Sequence, residues 1–514
     1  MADIDSTMYP SIETMQEWDR NGADKPFILC EYAHAMGNAI GNLQEYWDYI
    51  YASERMAGGC VWDWVDQGLN KRGEDPSNFY YGGQFGDRPN DHDFCMNGVV
   101  TPDRQVTPKL LQMAKVLQPV KFGYEGDGVV TLLNRNCFVP LGGEMKWCLL
   151  RNGVEAESGS VAVPPVAPGE TGKVSLPIAG KFSEGDEWAL NIDLPYATKA
   201  GDALCQEQFL LTGRVIPVGG MEEKGAAFVR EEIEADRVVY RGKDFSVTVN
   251  PAIGALTAIS YDGKDVLTAD GTPELAWFRT VRNDGDRYLR LPQPEISSSN
   301  VKVALEDDGS ALLVSADKKA AFGDSELTYS VAYKVLSSGD IEVEALFLMP
   351  ENPVVPRMGL RMGIVPGLEN VEYYGYGPME NYPDRKEAAR LGRYTTTVEG
   401  MTEAYVRPGS MGNREDVRWL TLTDDSGRGV KFTDLDSYKR MGFSALHYDD
   451  SDLLRKVTNR HELPRIRRAE TILTLDAAQR GLGNASCGPG PMDKYELHPG
   501  DAYTLRFLIS PLRR

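Results

Sequence analysis

The chain predicts a multidomain protein: a short parallel α/β unit, then an antiparallel β-sandwich, then a large sheet-rich β-sandwich domain. Three observations carry this expectation. Strand-like and helix-like patterns alternate over residues 1–120, short Val-, Leu- and Trp-rich runs between turns replace them over 121–215, and strand patterns continue over 216–514. At 514 residues the chain exceeds one ordinary core, and length alone predicts about three domains.

In the first region a short segment from Ile4 ends in Met8-Tyr9. The next run, Phe27-Ile28-Leu29-Cys30, leads into a lone carboxylate, Glu31, and then into a polar turn containing Gly37. That is the pattern of a buried parallel strand presenting Glu31 at its carboxyl end. A carboxylate just past a strand is ordinarily a solvated or helix-start charge. Repetition argues otherwise, because the run from Gly58 to Gln67 also ends in aromatic and acidic residues. Between and after these runs, spacings of three and four link Ile12, Met15 and Trp18, then Leu43, Tyr46, Trp47 and Ile50, then Leu110, Leu111, Ala114 and Leu117, which predicts helices.

In the second region the strand candidates are Gly128 to Leu132, Met145 to Leu149, Val161 to Ala167 and Glu187 to Ile192. Val215 to Ala226, with Pro217 and Gly219-Gly220, reads as a linker. Beyond it Val238 to Tyr240, Phe245 to Val249, Ile341 to Phe347 and Ile472 to Leu475 read as strands. No repeat of fixed period and no low-complexity tract is visible.

Composition narrows the function classes. A net charge of −21, from 55 basic and 76 acidic residues, repels polyanions, so nucleic acid and anionic membrane surfaces are poor partners. No apolar run approaches the ~20 residues that cross a bilayer, and the N-terminus shows no basic-then-apolar leader. The expectation is a soluble protein, cytoplasmic or periplasmic. The seven cysteines, at 30, 60, 95, 137, 148, 205 and 487, form no Cys-x-x-Cys pair, which predicts buried thiols rather than disulfides or a zinc site. His461-Glu462-Leu463-Pro464-Arg465 is no zinc helix, because the second histidine is missing and Pro464 breaks a helix.

Three segments carry a resemblance: Cys-Glu-Tyr-Ala-His-Ala-Met-Gly-Asn at 30–38, Gly-Gly-Cys-Val-Trp-Asp-Trp-Val-Asp-Gln at 58–67 and Asp-Phe-Cys-Met-Asn-Gly at 93–98. They resemble the large beta-galactosidases of glycoside hydrolase family 2. The likeness continues through Tyr-Gly-Pro-Met-Glu-Asn-Tyr-Pro-Asp-Arg at 376–385, Asp416-Val417-Arg418-Trp419 and Gly481-Leu482-Gly483. It spans nearly the whole chain, and a first segment of that length is far more specific than a short motif.

The resemblance implies a retaining hydrolase of terminal beta-galactosides, lactose-like, using two carboxyl groups about 5 to 5.5 Å apart. It makes Glu31 the nucleophile and Tyr9 a phenol beside it. His34 matches a histidine that binds galactose hydroxyls, and Trp62 a tryptophan that stacks on the sugar. Trp64 has a similar claim from composition, and strand alternation cannot choose between the two. Asn90 and Asp91 fall near the sugar or a secondary magnesium. The Phe94 carbonyl and Asn97 match ligands of a sodium ion at the galactosyl 6-hydroxyl. Asn283-Asp284-Gly285-Asp286 resembles a mobile loop reaching the active site, with a plain surface turn as the other reading. Cys487 falls where some relatives place a tryptophan against the outer sugar.

A closed (β/α)8 barrel needs eight strands in about 200 residues or more, and residues 1–120 offer roughly three. The resemblance identifies them as the last strands of a partial barrel. Nothing here matches the family's Gly-Asn-Glu acid/base motif, and the principal magnesium site and one sodium ligand also fall outside this chain. The expectation is therefore a C-terminal portion, inactive alone, partnered by an N-terminal half or by a second copy. The rival reading is a non-catalytic carbohydrate-binding or complementing fragment. A glucuronidase is disfavoured, since no cationic clamp for a sugar carboxylate is visible near Glu31.

Overall fold

The computed structural model describes residues 3–21, 24–178, 180, 182–183, 185–198, 201–215, 228–284, 292–306, 309–352, 354–436 and 441–513. Most of the linker expected at 215–226, and Gly285 and Asp286 of the expected loop, lie outside these residues.

The first region is the expected alternation: β1 (Asp5–Met8), α1 (Ile12–Asn21), β2 (Phe27–Tyr32), α2 (Leu43–Ala52) and β3 (Met56–Val61), with the strands parallel in the order β1-β2-β3. Pairing Thr7 with Leu29 and Met8 with Glu31 leaves a bulge between them. One face carries Phe27 and Leu29 onto Ile12 and Met15 of α1 and Leu43, Tyr46 and Ile50 of α2. The opposite face is bare: Met8 is 57% exposed, and Cys30 and Cys60 are exposed. Parallel sheets are ordinarily covered on both faces, so this one is half dressed. The bare face also corrects the cysteine expectation. All seven thiols are free as expected, but among them Cys205 alone is buried, and Cys137 is a third exposed thiol.

Helix α3 (Pro108–Val116) forms where the spacing predicts a helix. Leu111 is exposed, whereas Lys109, Gln112 and Lys115 are buried. Each polar group meets a distant partner: Lys109 the Ala35 carbonyl at 2.8 Å, Gln112 the Glu387 carboxylate, and Lys115 the Glu207 carboxylate at 2.9 Å. Buried polar groups are tolerated when they are paired in this way.

The sandwich is built from β4 (Val120–Gly126), β5 (Val129–Asn134), β6 (Leu141–Arg151), β7 (Val154–Val166), β8 (Thr171–Ser175), β9 (Trp188–Thr198) and β10 (Gly201–Leu210). Its sheets run β4-β5-β8 and β10-β9-β6-β7, closing on Val130, Leu132, Met145, Trp147, Leu190 and Ile192. In the last region the described strands form two five-stranded sheets and one nine-stranded sheet around a common core. The strand Ala502–Leu512 lies inside the nine-stranded sheet, between Ile341–Leu348 and Gly429–Asp434. No helix among the described residues is long and apolar enough to cross a membrane.

A buried ion pair locks the sandwich to the last region. The Arg418 guanidinium donates to Glu187 from Nε at 2.9 Å and also from Nη2, and the Tyr374 hydroxyl donates to the same carboxylate at 2.7 Å. Arg418→Met strands a buried carboxylate, a change that costs about 3–5 kcal/mol. The expected result is a lower urea midpoint by Trp147 and Trp188 fluorescence, with most of the loss restored when Glu187→Gln is added. An unchanged midpoint in Arg418→Met would show that Glu187 is solvated.

Candidate functional site

Glu31 stands at the carboxyl end of β2, as its sequence pattern predicts. The Tyr9 hydroxyl donates to its Oε2 at 2.8 Å, while the Tyr9 amide donates to the Glu31 carbonyl, also at 2.8 Å. Burial, then the Glu31 carboxylate, hold the Tyr9 phenol well above its ordinary 10.0, so it stays a donor. Tyr9 and Ala33 both adopt left-handed backbone, at φ 49° and φ 51°. Non-glycine residues avoid that region unless their surroundings enforce it, and such strain concentrates at functional sites.

The turn after Glu31 is held by the last region. Asn38 donates to the Tyr382 hydroxyl and to the Ser410 carbonyl, each at 2.9 Å, and the Arg385 guanidinium meets the Ala39 carbonyl. Asp384 accepts from the amides of Leu482 and Gly483 at 2.7 Å, beside Gly41. A Cβ on Gly41 would stand 1.9 Å from an Asp384 oxygen, so only glycine fits there. The segment at 376–385 is thus the clamp on the turn that carries Glu31 and His34.

His34 is wholly buried, with Phe94 stacked on it at 5.1 Å and Tyr9 edge-on at 5.9 Å. Its Nδ1 pairs with the Ser486 hydroxyl at 2.8 Å, and its Nε2 has no partner among the described residues. Burial, and next the Lys109 ammonium, push His34 down from 6.5 to about 4. The ring is therefore neutral, and its second nitrogen is a buried polar atom left unsatisfied among the described residues. Burial likewise pushes Lys109 down to about 8, against the pull of Asp66, whose carboxyl burial raises.

A cation beside an imidazole disfavours the imidazolium, so Lys109→Met should move the His34 titration upward from about 4 toward 6.5. Imidazole NMR shifts against pH check this, with His34→Gln assigning the signal. An unmoved midpoint would leave burial as the whole cause.

Of the other expected site residues, Cys487 stands beside the Tyr9 hydroxyl, close enough to act on it electrostatically. Trp62 is 36% exposed, and its carbonyl accepts from the Ala35 amide at 2.8 Å, which ties it to the His34 turn; Trp64 is 54% exposed. Asn97 donates to the Phe94 carbonyl at 3.0 Å, so the two expected sodium ligands are neighbours bonded to each other. Asn90 closes its own turn onto the Asp87 carbonyl at 2.8 Å, and Asp91 is exposed. Among the described residues no three His, Cys, Asp or Glu side chains cluster as a metal site.

Asn283 is buried rather than presented on a loop tip. Its Nδ2 donates to the Gly483 carbonyl at 2.7 Å and its Oδ1 accepts from the Ser486 amide at 3.1 Å. That bonding makes it a fastener of the Ser486-Cys487 loop. Sequence reasoning missed Ser486 and Lys109; the only signal for Ser486 was its place beside Cys487.

Comparison with known proteins gives the class first. Residues 1–122 match the TIM barrel domain of glycosyl hydrolases family 2, and 130–212 match beta-galactosidase domain 4. Residues 241–509, more than half of the chain, match the beta galactosidase small chain. The chain belongs to the beta-galactosidase family of glycoside hydrolase family 2. It is 29% identical to a beta-galactosidase of Priestia megaterium over 99% of this chain and 50% of that one. Against that of Lactobacillus delbrueckii subsp. bulgaricus the figures are 30%, 99% and 50%, and against that of Streptococcus thermophilus 30%, 96% and 48%. The chain thus spans about half the length of these curated relatives.

Proposed function

We infer that this chain carries the nucleophile side of a retaining beta-galactosidase active site. The observation that carries the reading is the Tyr9–Glu31 bond of 2.8 Å at a strand end, beside a buried histidine nitrogen with no partner among the described residues. In this reading the ionised Glu31 attacks the anomeric carbon. Tyr9 donates to the carboxylate as the bond to the sugar forms and breaks. His34 Nε2 takes a sugar hydroxyl, and Trp62 offers its indole face to the pyranose C–H face. Cys487 borders the outer sugar, with less surface than an aromatic ring provides.

The three parallel strands are read as the last strands of a (β/α)8 barrel whose remainder dresses the bare sheet face and brings the proton donor. A sheet with an exposed face and edges calls for such a partner, and an N-terminal half fits better than a second copy, which would bring no acid. The Phe94 carbonyl and Asn97 fit a share of a sodium site, being neutral oxygen-bearing groups side by side. Two oxygens alone hold no hard cation, so the other sodium ligands and the magnesium site are assigned to the partner. When bound, that sodium would order a sugar hydroxyl. A 2-fluoro-galactoside trapped on the completed enzyme tests the reading: peptide mapping should place the label on Glu31, and a label on another residue would end it.

A further inference from the structure

Where the first and last regions meet, a cavity of about 300 Å³ opens between Gly37, Asp66, Asp93, Arg282, Arg407 and Ser486. It adjoins the candidate sugar site, because the Ser486 hydroxyl in its wall is the group bonded to His34. Arg282 packs against the turn after Glu31: a Cβ on Gly37 would stand 3.8 Å from the Arg282 Cβ.

The wall carries two guanidiniums, Arg282 and Arg407, and two carboxylates, Asp66 and Asp93. Asp93, 3% exposed, meets two guanidiniums through one oxygen, with Arg407 Nη1 at 2.9 Å and Arg282 Nη2 at 3.5 Å. One carboxylate balances one of these cations. The other wall carboxylate, Asp66, is answered electrostatically by the Lys109 ammonium. A guanidinium carries five N–H donors in a fixed fork, and each of these ion pairs engages one nitrogen. Side-chain exposures of 30% for Arg407 and 41% for Arg282 leave the remaining donors accessible. Converging guanidiniums with N–H donors left accessible are the chemistry that recognises oxyanions.

We propose that this cavity binds a small oxyanion, a sulfate, phosphate or carboxylate group, either as a substituent of the sugar substrate or free in solution. The substituent case rests on the proposed galactoside reading; the anion site itself does not. Its consequence is specificity: a substrate bearing an anionic group gains a contact that a neutral galactoside lacks.

Calorimetric titration of the full chain at low salt with sodium sulfate, galactose and galactose 6-sulfate tests this, on the native chain and on Arg282→Gln. That variant removes the longer of the two Asp93 contacts, so Arg407 still seats the carboxylate. The expected result is saturable sulfate binding that weakens about tenfold in Arg282→Gln, as loss of a charge-assisted hydrogen bond implies, and that falls with added salt. Galactose 6-sulfate binding at least tenfold tighter than galactose or sulfate identifies the anion as a substrate substituent. Equal binding of sulfate and galactose 6-sulfate, with none of galactose, supports a free anion and overturns the substituent case. Galactose binding without any sulfate contribution, or sulfate binding unchanged in Arg282→Gln, overturns the anion site and leaves the sugar reading intact.

Discussion

Glu31→Gln, in the enzyme completed by the other half, should lower turnover by a factor on the order of 10⁴ to 10⁶ while leaving the fold in place. The size follows from the role. A carboxylate that forms the glycosyl-enzyme bond has no substitute, whereas a residue that only orients the sugar leaves most of the chemistry running. The fold should survive because Glu31 is only partly buried and its side chain accepts from Tyr9, a bond that a glutamine oxygen can still accept. Circular dichroism and the thermal midpoint should match the parent, and galactose binding should persist through His34 and Trp62. A loss of tenfold or less would remove Glu31 from the nucleophile role. An equal collapse of binding and stability would make it a structural carboxylate.

What the sequence made legible, and what it hid, divides along physical lines. The strand ending at Glu31 was readable because an apolar run meeting a carboxylate and a glycine turn is a local pattern. The meeting of Tyr9 with Glu31 is not local. It depends on parallel pairing of β1 with β2 and on a bulge after Thr7, neither of which leaves a trace in spacing. Helix α3 shows the limit most clearly. The spacing of its apolar residues predicted the helix, but not that Lys109, Gln112 and Lys115 are buried on it because Ala35, Glu387 and Glu207 come from distant segments to receive them. Periodicity reports which residues could pack, not which polar groups find partners. The cysteines failed for a related reason. Burial was inferred from residue type, and Cys30 and Cys60 lie on a sheet face that none of the described residues covers. Asn283 was drawn to the site by its likeness to a loop, and its amide is spent holding Gly483 and Ser486.

If a partner half carries the acid, the isolated chain should hydrolyse galactosides negligibly, and activity should return when an N-terminal half is supplied in trans. Protonating the leaving oxygen contributes about 10² to 10⁴-fold, and in the proposed function that group belongs to the partner. Binding should weaken as well. The sheet face carrying Met8, Cys30 and Cys60 is open to water, and a sugar held on an open face loses the enclosure that excludes competing solvent. The same face supplies an independent readout. If a partner half covers it, thiol labelling of Cys30 and Cys60 should fall on mixing at the same stoichiometry at which activity appears, while Cys137, on the sandwich, keeps its reactivity. Full activity of the purified chain, with host enzyme excluded, would mean that a carboxyl group of its own serves as the acid. Recovery of activity without protection of Cys30 and Cys60 would place the partner elsewhere than on the bare sheet.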